Sequence, residues 1–141
     1  MKWYAGAQET LLAGEWDWLT STIKVMLTTS SYTPDQGADR YKSDITNETS
    51  GDGYTAGGKT LSGKTQTYAA GTKRITFDAA DVTWTDSSIT ARTLVIYADI
   101  TGDATIKPLI GYHTFAADEA SASSDFILEW HTDGILTLTA S

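Results

Sequence analysis

The residue pattern most suggestive of chemistry is Gly53-Tyr54-Thr55-Ala56-Gly57-Gly58-Lys59-Thr60, which fits G-x-x-x-x-G-K-[ST], the glycine-rich phosphate loop. That loop works only when a buried strand enters it and a helix leaves it, so that helix-terminal amides and the lysine converge on phosphate. Neither flank fits. Asn47-Glu48-Thr49-Ser50 precedes it and is polar, and Leu61-Ser62-Gly63 follows it and breaks any helix. The match is read as a coincidence in a Gly-rich surface loop. An ATP titration of the wild type against Lys59→Ala tests the nucleotide hydrolase that the pattern would otherwise suggest.

Carboxylates are plentiful, but a glycosidase-like pair needs a defined separation across a cleft, which a sequence does not show. Asp35, Asp52, Asp78, Asp86, Asp103 and Asp133 all sit in turn-like contexts. Asp99 and Asp103 flank Gly102 without the ligand spacing of a calcium loop. There are no cysteines, which excludes disulfides, zinc-thiolate sites and a cysteine nucleophile. The two histidines, His113 and His131, are far apart in sequence, and no nucleophile-elbow pattern occurs. His113 is expected to be a hydrogen-bonded structural residue in an apolar strand, and His131 an exposed hairpin residue. Asn47-Glu48-Thr49 is a glycosylation sequon, without meaning in a bacterial host. No catalytic residue, metal site or cofactor is expected.

The elements that would position any site read as all-β. At 141 residues the chain is the size of one domain with one core. Abundant Thr, seven Tyr and five Trp favour strands, and frequent Gly marks turns. The one helix candidate is residues 4–13, where Tyr4, Ala7, Leu11 and Leu12 fall near one face and Gly14 is a stop. Residues 23–28 alternate with period two, as a half-buried strand does. Residues 30–52 form a long polar excursion with a short edge strand near Tyr41, and 51–63 a Gly-rich loop. A hairpin follows from 64–68 and 74–77, then a strand at 82–84. Residues 93–97 are apolar on both faces and predict the central buried strand. A strand at 109–115 and a final hairpin, 126–130 with 135–139 across an Asp-Gly turn, complete about eight strands at the spacing of a β-sandwich, a jelly roll being one such arrangement.

A net charge of −8 argues against general binding to nucleic-acid backbones, and the lysines and arginines form no patch. The N-terminus lacks the apolar core of a signal peptide, and the longest apolar run is too short to cross a bilayer. A soluble protein made in the cytosol, with no membrane partner, is expected. Trp3, Tyr4, Trp16 and Trp18 cluster near the N-terminus. They are either core packing beneath the helix or anchors for another subunit, since Trp and Tyr are enriched at interface hot spots. With Tyr32, Tyr41 and Tyr54 they are the candidate contact residues.

The order of several short motifs resembles small virion structural proteins of tailed bacteriophages. They are Gly53-Tyr54-Thr55-Ala56-Gly57-Gly58, Leu61-Ser62-Gly63-Lys64, Phe77-Asp78-Ala79-Ala80-Asp81-Val82-Thr83-Trp84, Leu94-Val95-Ile96-Tyr97, Leu109-Ile110-Gly111-Tyr112 and Phe126-Ile127-Leu128-Glu129-Trp130. The resemblance spans almost the whole chain and brings no catalytic residues. It implies a capsid cement or decoration protein on the virion surface, assembled in the host bacterial cytoplasm. Its partner would be the major capsid protein, and the chain would cluster as a homodimer or homotrimer at a lattice axis. A tail, baseplate or fibre component is the alternative within the same particle. A carbohydrate-binding module is the alternative of another class, and would show a flat row of exposed Trp or Tyr.

Overall fold

A computed structural model describes residues 1–141. Its strands are β1 (Lys2–Trp3), β2 (Ile23–Thr28), β3 (Lys59–Thr60), β4 (Thr65–Ala69), β5 (Arg74–Asp78), β6 (Val82–Ser87), β7 (Thr90–Ala98), β8 (Leu109–Ala120), β9 (Ser124–Leu128) and β10 (Leu136–Thr139). One α-helix, α1 (Ala5–Leu12), lies near the N-terminus, and single 3-10 turns occupy Lys42–Asp44 and Ala104–Ile106. Every strand pair is antiparallel. The protein is thus all-β and sandwich-like. A five-stranded sheet ordered β1-β8-β7-β2-β3 forms one layer; the other is divided between β10-β5-β4 and β6-β9.

β2 and β7 explain why the core is double. Successive side chains of a strand point to opposite faces. Ile23, Val25 and Leu27 of β2, with Leu94 and Ile96 of β7, join Phe77, Trp84, Phe126, Leu128 and Leu136 in the core between the layers. The alternate residues Met26, Val95 and Tyr97 enter a second cluster with Tyr4, Ala7, Tyr32, Leu109 and Tyr112. Helix α1 and the long 30–52 excursion cover this outer face. β7 is the central strand the sequence predicts. β2 differs from its expectation: it is covered on both faces rather than half-buried.

Other differences have local causes. In α1 the buried residues are Ala7 and Thr10, while Leu12 is 88% exposed. Trp16 sets this rotation, because its indole Nε1 donates to Thr10 Oγ1 (2.9 Å). Near Tyr41 there is only one bridge, to Pro108, before a 3-10 turn. The Gly-rich loop contains the short strand β3, which pairs with β2. β6, β7 and β8 run longer than expected, and β8 continues to Ala120, past the expected end at residue 115. The expected final hairpin is absent. β9 pairs with β6, and β10 pairs with β5 in a different sheet.

Candidate functional site

The glycine-rich segment is built around a carboxylate of its own chain. Glu48 Oε1 accepts from the Tyr54 hydroxyl (2.8 Å) and from the Gly57 amide (2.6 Å). Tyr54 Oη in turn accepts from the Leu27 amide (3.0 Å), and Tyr97 Oη donates to the Gly57 carbonyl (2.7 Å). Burial, largest among the causes, and the nearby Glu48 push the Tyr54 hydroxyl well above the ordinary tyrosine range, so it remains a donor. Lys59 does not face the loop; its Nζ donates to the Thr83 carbonyl. With a strand rather than a helix after it, this loop is a clasp that ties residues 48–60 to β2 and β7. At Gly58, with φ of +76°, an added Cβ would lie 1.9 Å from the Val25 carbonyl oxygen, so glycine is required by this close approach.

The acidic and histidine candidates are dispersed. Asp99 is held between Lys24 (3.0 Å) and Lys107 (2.5 Å). Burial opposes ionisation of Asp99, but the hydrogen bonds and charges of the two lysines outweigh it and hold the carboxyl below its ordinary range. Asp103 caps its own turn through the Thr105 amide (2.9 Å) and hydroxyl (2.7 Å). No group of three or more His, Asp or Glu side chains is placed to hold a metal ion. His113 is exposed, its ring edge-on to Phe115 at 5.5 Å, rather than a hydrogen-bonded core residue. His131 is exposed, as expected, and accepts from the Asp133 amide through Nδ1 (3.1 Å).

The aromatic contact candidates are mostly interior. Tyr4, Trp16, Trp18 and Tyr32 are buried, and Trp3, Tyr41 and Tyr54 are half-buried. Their polar ends find partners within the chain, as buried Trp and Tyr normally do. Trp3 Nε1 donates to the Thr137 carbonyl (2.9 Å), and Trp18 Nε1 to the Asp78 carbonyl (3.2 Å). The Tyr4 and Tyr32 hydroxyls share a hydrogen bond (2.8 Å), and Tyr32 donates onward to Asp39 (2.7 Å). Tyr41 accepts from Arg40 Nε (3.1 Å), whose guanidinium lies 5.5 Å from its ring centroid. Of the two readings of these residues, burial supports core packing.

The open surface lies elsewhere. β1 pairs with β8 only at Gly111 and Tyr112, so the same edge of β8 is unpaired along residues 113–120. β9 pairs with β6 alone, which leaves its other edge free. Two adjoining clefts, about 300 Å³ and 370 Å³, both lined by Phe115, Leu128 and Glu129, lie between these edges. Ile127 on β9 is 57% exposed. Sequence reading missed this trough, although Phe126-Ile127-Leu128 carried a signal: Ile127 is apolar at the position where period two calls for a polar outward residue. β4 is a second open edge, exposed at every residue and carrying Tyr68 at 68% exposure.

Comparison with protein-family models, curated proteins and solved structures finds no match to this chain. No helix is long and apolar enough to cross a membrane.

Proposed function

We propose that this protein is a bacteriophage structural component, a cement or decoration protein that binds the major capsid protein and stabilises the shell. The observation that carries the reading is a packed β-body whose Lys59, Glu48 and Asp99 are committed to its own architecture while the edges of β8, β9 and β4 stay open. Lys59 is tied to the Thr83 carbonyl, Glu48 to the glycine-rich clasp and Asp99 to two lysines. The ordered resemblance to small virion proteins supports the same reading. A rigid body that touches several shell subunits gains avidity from modest contacts, and that raises the barrier to shell rupture. Such a body needs adhesive surface rather than a reaction centre.

The experiment is quantification of the chain in purified particles by mass spectrometry against labelled standard peptides. A cement role requires on the order of hundreds of copies per particle, set by lattice symmetry. A few copies per particle would move the protein to the tail or baseplate. The carbohydrate-binding alternative depends on a row of exposed rings. Among Trp, Tyr and Phe only Tyr68 is more than half exposed, and it stands alone on β4.

A further inference from the structure

We propose that the trough between β8 and β9 is the docking site for an extended segment of a partner protein that carries alternating apolar and basic side chains. This names the contact surface of the adhesive role above, and rests on that reading for its biological setting.

The backbone states the first requirement. An unpaired strand edge presents a row of free N–H and C=O groups that another extended chain can satisfy. Here β8 leaves residues 113–120 unpaired and β9 leaves residues 124–128 unpaired, on either side of one trough. The sheet position that β1 fills beside Gly111 and Tyr112 is empty beside residues 113–120 of β8.

Side chains state the second requirement. Cross-strand partners share a face of the sheet. His113 and Glu119 are the register partners of Leu94 and Ala91, whose side chains lie in the core between the layers. The trough side of β8 is therefore the inner face of the sandwich, carried past the end of the packed core. Phe115 and Leu128 form its apolar floor, and the exposed Ile127 is at its rim.

Charge chooses the occupant. Glu119 and Glu129 line the trough, and neither has an ion-pair partner. Within residues 82–92 and 113–130, Asp86, Asp118, Glu119, Asp125 and Glu129 stand against one Lys or Arg, Arg92, which is paired with Asp118 (2.8 Å), while Met1, His113 and His131 also line the wider cleft. Like charges facing across a strand pair are destabilising, so these carboxylates disfavour a second copy of this edge and favour a strand bearing Lys or Arg. The open edge of β4 has no charged side chain and no cleft beside it, so it selects no comparable chemistry.

The test uses the full chain, isotope-labelled, and two short peptides, one alternating valine with lysine and one alternating valine with glutamate. The lysine peptide should bind saturably and slow amide exchange in residues 113–120 and 124–128. The glutamate peptide should bind about tenfold more weakly or not at all. Ile127→Ser should weaken the lysine peptide about tenfold, and the double variant Glu119→Lys, Glu129→Lys should reverse the preference between the peptides. All three positions are exposed, and the amide spectrum of each variant verifies its fold. No saturable binding, protection on β4 instead of β8 and β9, or an unchanged preference in the double variant would overturn the proposal. Binding as stated, by a chain missing from purified particles, would leave the trough standing and remove the virion reading. An abundant virion protein that ignores both peptides would do the opposite.

Discussion

At the scale of single residues, the polar groups inside this protein decide how substitutions behave. Trp18 and Trp84 are similarly buried, but Trp18 donates to the Asp78 carbonyl whereas the Trp84 indole N–H is buried without a partner. Replacing either by Phe removes comparable volume. Only Trp18→Phe orphans an acceptor, so it should cost about 1–3 kcal/mol more than Trp84→Phe in urea denaturation. Gly58→Ala should cost at least about 3 kcal/mol, because a positive φ and a clash with the Val25 carbonyl oxygen combine. Gly14→Ala, with φ of +74° but open space around it, should cost only about 1–2 kcal/mol by the same measurement. Asp99 supplies a pH test. Its folded-state pKa is depressed, so its stabilisation is present above the ordinary carboxylate range and is lost as pH falls through the lower folded value. Asp99→Asn should destabilise by about 1–2 kcal/mol at neutral pH. The gap to wild type should narrow as pH falls below the ordinary carboxylate range and close below the depressed folded value, where Asp99 is itself neutral.

At the scale of elements, the periodic strands and the hairpin of 64–68 with 74–77, which is β4 paired with β5, were readable, and the longer-range pairings were not. Leu94-Val95-Ile96-Tyr97 announces burial on both faces because both periods of β7 are apolar, and each face receives its own core. The Asp133-Gly134 turn was equally visible, and Gly134 does adopt a positive φ of 94°. The strands on either side of it belong to different sheets, because the alternation of an isolated strand does not encode its partner. What separates them is non-local. The Trp130 amide and indole donate to Asp81 Oδ1 and the Ala80 carbonyl (both 2.9 Å), and the Ile135 amide to the Phe77 carbonyl (2.8 Å). Trp130→Ala should speed amide exchange across residues 129–135 and cost about 2–3 kcal/mol. In α1, Leu12 misled because helical spacing defines a face without saying which face docks; Thr10, a polar residue, is buried instead because Trp16 bonds to it. Exchange in the wild type should be slowest in β2 and β7 and fastest in β4, whose residues are all exposed.

At the scale of the whole molecule, a packed interior coexists with a discontinuous second layer and unfinished edges. The candidate contact residues chosen from sequence were aromatic because aromatic residues dominate hot spots, but the same rings dominate cores, and composition alone does not divide the two uses. Tyr4, Trp16, Trp18 and Tyr32 are in the core, while the open trough is marked by Ile127, Glu119 and Glu129. The phosphate-loop pattern shows the converse: its residue types are present, and the neighbouring strands turn them into a structural clasp. The net charge of −8 favours solubility, which is compatible with the proposed cement role. An image reconstruction of purified particles tests that role most directly. Density matching this β-body should recur at symmetry-equivalent positions on the outside of the shell, in contact with more than one capsid subunit. A shell that lacks it, or density confined to the tail, would contradict the cement role.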